Sequence, residues 1–145
     1  MTIKKILIIA TISICSLSVK AQTGADSAAV LRAANDYIEG FYFGDTAKIY
    51  YSIDPNASKH GYYKGRQNDT AYRKIPMSFS QMIGYSKNER NRPSEVNAKI
   101  REIQILDLQS KIASVKLRAW WGIDYLLLTK MDDRWIIEKV LWQSL

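Results

Sequence analysis

The stretch that decides the fold is Ala113–Trp142, ASVKLRAWWGIDYLLLTKMDDRWIIEKVLW. It reads as three consecutive strands joined by tight turns. Lys111–Trp121 alternates, with Ala113, Val115, Leu117, Ala119 and Trp121 on one side. Gly122 marks a turn, and Ile123–Met131 and Trp135–Trp142 form a second pair that turns at Asp132-Asp133. The strand from Ile123 is apolar on both faces. Ile123, Tyr125, Leu127 and Met131 line one, and Leu126 and Leu128 lie with Asp124 on the other. A half-exposed antiparallel sheet alternates apolar with polar, so two apolar faces call for two covers. Helices supply one cover, and a second subunit is the expected other, giving a homodimer through the sheet.

Working upstream, Glu95–Leu108 is expected to be the first strand of this sheet. Val96, Ala98 and Ile100 share a phase that slips before Ile103 and Ile105, which places a bulge near Arg101–Glu102. The N-terminal half reads as helical. In Asp26–Phe43, Val30, Ala33 or Ala34, Tyr37 and Phe41 recur every three or four residues. Gly44 stops that helix, and Asp45 caps a second one over Thr46–Tyr51. Asp54-Pro55-Asn56 ends the second helix, and Lys59–Lys64 is a short strand. Arg66–Arg73 is a polar loop. Pro76 is expected to open a third helix, with Ser78 and Gln81 at capping-box spacing, and Lys87–Ser94 is a charged loop. Helices first and strands after make an α+β domain, not an alternating α/β one.

Residues 1–21 read as a secretory signal and not as part of the fold. Lys4 and Lys5 precede an apolar run, Ile6–Leu17, that is too short to span a bilayer. Val19-Lys20-Ala21 then fits cleavage before Gln22. Cys15 is the only cysteine, and Ile14 before it does not fit a lipidation box. The expected destination is the periplasm or the medium, and the expected domain, residues 22–145, is held by its core without disulfides. Loss of Lys4, Lys5 and Lys20, with no acid among those residues, lowers the net charge from +7 to +4. The remaining basic residues are scattered, which speaks against a nucleic-acid-binding face.

Two segments resemble a known family. Asp36-Tyr37-Ile38-Glu39-Gly40-Phe41-Tyr42-Phe43-Gly44-Asp45 resembles the Y-x-x-G-x-x-x-G-D opening of the putative lumazine-binding branch of the nuclear transport factor 2-like superfamily. Asp124-Tyr125-Leu126-Leu127-Leu128, followed by Lys130, Trp135, Ile137 and Trp142, resembles its closing strands. The chain departs from that branch in having Asp54-Pro55 where His-Pro is common, and Asp132-Asp133 where the last turn is usually Asp-Gly. The resemblance implies a cone-shaped curved antiparallel sheet packed against the N-terminal helices, with a mostly apolar pocket at the open end. It also implies a wide range of activities, from isomerases, dehydratases and cyclases to non-catalytic binding and assembly domains.

Asp124 is the leading candidate for chemistry. If its face lines the cone, burial raises its pKa and makes it a base; otherwise it is a strand-end carboxylate holding the turn near Gly122. His60, the only histidine, could face the pocket and pair with Asp124. Tyr37, Tyr62, Trp121 and Trp142 are candidate aromatic walls for a small apolar or planar molecule, or else core and interface residues. One histidine and no mature cysteine offer no structural zinc site, and no calcium loop, phosphate loop or Ser-His-Asp motif occurs. No cofactor is implied. The reading is a secreted small-molecule-binding domain, with an acid–base enzyme built on Asp124 and a scaffold domain as the alternatives.

Overall fold

The computed structural model describes residues 24–65 and 70–145. The signal-sequence reading of residues 1–21 and the first part of the polar loop expected from Arg66 lie outside the described residues. Helix α1 occupies residues 24–43, and α2 is Thr46–Ser52. Two strands follow, β1 (Ile53–Tyr63) and β2 (Arg73–Met77), then helix α3 (Phe79–Lys87). After two single 3₁₀ turns come β3 (Glu102–Leu108), β4 (Ile112–Ala119), β5 (Gly122–Met131) and β6 (Arg134–Gln143). The six strands form one sheet in the order β2-β1-β6-β5-β4-β3. Every neighbouring pair is antiparallel except β1 and β6, which run parallel.

The C-terminal meander is the one expected from Ala113–Trp142. Alternation buries Ala113, Val115, Leu117 and Ala119 of β4 beside Asp124, Leu126 and Leu128 of β5. Helix α1 supplies the cover. Val30, Ala33, Ala34, Tyr37, Ile38, Phe41 and Tyr42 are buried against that sheet face in one core with Ile49, Met82, Trp135 and Ile137. Burial of each large aliphatic side chain stabilises by about 1.5–3 kcal/mol. A buried polar tie fixes the far end of α1. Lys130 Nζ and Trp135 Nε1, from the β5–β6 hairpin, donate to Asp26 Oδ1 at 2.5 and 3.1 Å. Register shifts in three pairs, β1–β6, β3–β4 and β5–β6, bend the sheet into its curve.

The helix stop at Gly44 and the cap at Asp45 form as read. Gly44 takes a left-handed φ of 73°, and Asp45 accepts from the backbone of Ala47 and Lys48. Three expectations are corrected. Strand β1 starts directly after α2 at Ile53, six residues before Lys59. Asp54-Pro55-Asn56 lies inside it, in the register shift between Ile53 and Ser58 where the ladder asks nothing of Pro55. Pro76 does not open a helix: it closes toward the end of edge strand β2, paired with His60, and Ser78 is the cap of α3, with Gln81 completing the capping box. The third correction concerns Val96, Ala98 and Ile100, which precede the sheet. Residues Asn97–Lys99 form a 3₁₀ turn, β3 begins at Glu102, and its bulge falls between Ile105 and Asp107. The apparent phase slip was a change of secondary structure, not a bulge at Arg101–Glu102.

Candidate functional site

The site is built by three elements that meet under the curve of the sheet. Asp124 is the third residue of β5 and is fully buried. Tyr37, also fully buried, comes from the inner stripe of α1. Lys59 comes from β1, where alternation turns Lys59 and Gly61 inward. The Tyr37 hydroxyl donates to Asp124 Oδ2 at 2.5 Å, and Lys59 Nζ donates to the same hydroxyl oxygen at 2.5 Å. Lys59 Nζ stands 3.9 Å from Asp124 Oδ2, and Trp121 Nε1 donates to Asp124 Oδ1 at 2.7 Å. Both carboxylate oxygens are therefore satisfied from inside the protein. The ammonium also lies 4.7 Å from the centre of the Phe41 ring and 5.0 Å from that of Tyr37, where the ring faces attract it.

Burial governs the protonation of this cluster. It pushes the Asp124 carboxyl up, while the Lys59 charge and the bonds from Tyr37 and Trp121 pull it back. It pushes the Lys59 amine down, opposed by Asp124. It drives the Tyr37 phenol well above its ordinary value, and the Asp124 charge adds to that shift. Tyr37 therefore stays protonated, and the charge on each of Lys59 and Asp124 is the main one opposing the desolvation of the other.

Lys59 opens onto a cleft of about 70 Å³ lined by Phe41, Met77, Tyr85, Trp121 and Trp142. The lining is apolar and mostly aromatic. Trp142 lies across from Gly61 on the neighbouring strand, and its indole occupies the space over that glycine. A Cβ at Gly61 would come within 1.8 Å of the ring. Trp142 Nε1 is buried and has no hydrogen-bond partner among the described residues. The cleft thus presents the Lys59 amine and no carboxylate, since Asp124 is not among its lining residues.

Of the residues singled out in the sequence, Asp124, Tyr37, Trp121 and Trp142 come together here. His60 and Tyr62 do not join them. They alternate with Lys59 and Gly61 and emerge on the opposite face of the sheet, where Tyr62 is exposed. Lys59 takes the position beside Asp124 in which His60 was expected. The signal for Lys59 was its two-residue spacing from Gly61, which sets both on one face. The sequence does not say that this face is the inner one. Phe41, Met77 and Tyr85 complete the walls from α1, the end of β2 and α3, and nothing in the local sequence distinguishes them from ordinary core. Among the described residues no cluster of histidine, cysteine or carboxylates could hold a metal ion.

Helices on one face of a curved, six-stranded sheet with this strand order define a protein of the nuclear transport factor 2-like fold. The solved structures agree. A nuclear transport factor 2-like protein of unknown function from Silicibacter pomeroyi DSS-3 superposes with a TM-score of 0.67 at 18% identity, covering 85% of this chain and 98% of its own. A second, from Shewanella baltica OS155, gives 0.63 at 14% identity over 83% and 94%. A third, from Methylobacillus flagellatus KT, gives 0.55 at 18% over 83% and 92%. Within that fold the chain belongs to the family described as "Putative lumazine-binding", whose model matches residues 25–143. No curated protein matches the chain.

Proposed function

We propose that this chain is a small-molecule-binding domain whose ligand enters the aromatic cleft and accepts hydrogen bonds from its floor. The observation that carries this reading is the Lys59 ammonium, buried to all but 6% of its surface yet opening onto a cleft walled by Phe41, Trp121 and Trp142. A buried charge is costly unless it is paired or used. The family description supports a planar heteroaromatic ligand, and aromatic walls stack such a ring. The carbonyl oxygens of a lumazine ring are acceptors suited to the Lys59 donor. The test is a fluorescence titration with lumazine as the probe. Saturable quenching of the Trp121 and Trp142 emission, lost in Lys59→Met, is expected. Quenching of equal strength in that variant would remove the assignment.

The acid–base reading built on Asp124 is narrowed by its surroundings. Asp124 reaches the cleft only through its lining residues Lys59 and Trp121, with the Tyr37 hydroxyl between Asp124 and Lys59, so in any reaction it positions and charges those groups and is not itself the catalytic residue. Export by a cleaved signal at residues 1–21 remains part of the proposal, supported by the basic start at Lys4-Lys5 and the apolar run after it. So does a homodimer through the outer sheet face. There Tyr125, Leu127 and Leu141 are about half exposed, and Tyr125 and Leu141 are direct cross-strand partners. Among the described residues no helix is long and apolar enough to cross a membrane.

A further inference from the structure

The Lys59–Tyr37–Asp124 cluster does more than hold a charge at the base of a binding cleft. One phenol hydroxyl lies between an amine and a carboxylate, 2.5 Å from each. Lys59 can pass a proton to the Tyr37 oxygen as Tyr37 passes its own to Asp124 Oδ2. The result is a neutral amine, an unchanged tyrosine and a carboxylic acid, with no net change of charge. A low-dielectric setting favours that neutral arrangement at both ends. The freed amine lines the cleft, and the acid formed lies behind the hydroxyl.

We infer that Lys59 is a nucleophilic lysine that captures a small aldehyde or ketone as a Schiff base, with Tyr37 as its proton carrier and Asp124 as its proton store. This rests on the reading of the cleft as a small-molecule site and names the class of molecule it takes. The steps balance within the cluster. The neutral Lys59 nitrogen attacks the carbonyl carbon and forms the C–N bond. A proton moves from that nitrogen to the former carbonyl oxygen by way of the Tyr37 hydroxyl, giving a carbinolamine. Asp124 then returns its stored proton through Tyr37 to the carbinolamine hydroxyl, the C–O bond breaks, and water leaves. The product is a protonated imine facing an ionised Asp124, so the original ion pair is restored. Lysines desolvated in apolar pockets are the ones that enter such chemistry. The aromatic walls favour a carbonyl compound with a flat apolar body, and the small cleft limits its size.

The experiment incubates the purified protein with benzaldehyde and cyanoborohydride at neutral pH and maps the reduced adducts by peptide mass spectrometry. Lys59 is expected to be alkylated several-fold faster than the exposed Lys87, Lys99 and Lys111, because burial favours its neutral, nucleophilic amine. Tyr37→Phe, which keeps the ring and removes the proton carrier, should slow Lys59 to the rate of those surface lysines. Alkylation of Lys59 in the wild-type protein no faster than at Lys87, Lys99 and Lys111 overturns the proposal without recourse to any variant. Benzyl alcohol separates this from the binding reading. Tryptophan quenching by the alcohol with no preferential Lys59 adduct from the aldehyde leaves a binding cleft without lysine chemistry. Absence of both removes the two together.

Discussion

Lys59 and Asp124 meet across a whole strand. Lys59 lies on β1 and Asp124 on β5, with β6 between them, yet Nζ and Oδ2 stand 3.9 Å apart. Curvature of the sheet and the reach of the lysine close that gap, and Tyr37 from α1 fills it. The pair therefore reports on three packing relationships at once: β1 on β6, β6 on β5, and α1 on all of them.

That arrangement predicts strong coupling between the two residues. Removing one partner leaves a buried, unpaired charge, so Lys59→Met and Asp124→Leu should each cost about 3–5 kcal/mol. The double variant replaces the pair with apolar groups and should recover most of the loss. Denaturant unfolding of the four proteins measures this directly. Simple additivity of the two single losses would mean that the ion pair is not a unit.

The pH response of Lys59→Met follows from the raised pKa of Asp124. Burial is the first cause of that shift, and Lys59 is the largest group opposing it; without Lys59 the shift grows. A carboxyl whose pKa is higher in the folded state binds more protons there than when unfolded. Stability therefore falls as pH rises from the ordinary carboxyl value of 3.8 through the raised one. The variant should lie closest to wild type near pH 4 and fall behind toward neutrality. Thermal melts of both proteins across this range test the sign, and a gap that widens toward acid would contradict it.

Gly61 and Trp142 make the cleft wall sensitive to a single methyl group. A Cβ at position 61 would overlap the indole at 1.8 Å, against a ring held by β6 backbone rather than by a flexible tip. Gly61→Ala should cost about 1–3 kcal/mol, the range for overpacking a filled site. The displaced indole should also change its fluorescence emission. An alanine variant with wild-type melting and emission would show that Trp142 does not rest on Gly61.

How much of this was legible from sequence depends on whether the signal was periodic or tertiary. The meander from Ile112 to Gln143 was readable because alternation repeats over three strands and the turns carry their own residues. Asp132, at the last of those turns, takes a φ of 54°, as a residue standing in for glycine must. Asp45 and the Ser78–Gln81 box were readable as short-range chemistry. The start of β1 and the existence of β2 were not, because Pro55 and Pro76 are tolerated at a register shift and on an edge strand, where no ladder N–H is required. Asp124 was found by its odd place on an apolar face. Lys59 was passed over because β1 carries a tyrosine on each phase, Tyr62 beside His60 on one and Tyr63 beside Lys59 and Gly61 on the other. Only the packing against α1 reveals which phase is inside.

The outer sheet face yields an assembly prediction. Leu127 pairs with Ser114 and Lys139 on its two neighbours, and Tyr125 with Lys116 and Leu141, so the apolar patch is bordered by cations. In a homodimer through this face, Leu127→Lys would bring a further charge into the contact and should convert the dimer to monomer without lowering monomer stability. Light scattering on the wild type and the variant decides it. A wild-type protein that is monomeric at every concentration ends the dimer proposal.

Glu39 should produce the opposite acid response from Asp124. Its carboxylate accepts from Lys48, on α2, and from Arg101 Nη2 at 2.5 Å, just before β3. It thereby ties α1 to both. The hydrogen bond from Lys48 is the first cause holding its pKa below the ordinary value, and the bond from Arg101 the second. A lowered carboxyl contributes stability above its unfolded pKa and loses it as pH falls through the folded one. Because Lys48 is about one-third exposed, solvent screening limits the effect, and Glu39→Gln should cost about 1 kcal/mol at neutral pH. The cost should fade as the wild-type carboxylate protonates in acid, since both proteins then carry a neutral group at this position. Wild type and variant melts that converge as the pH falls below the ordinary carboxyl value of 4.5 satisfy this. A cost that is constant across pH would place the contribution of Glu39 in its packing on α1 and not in its charge.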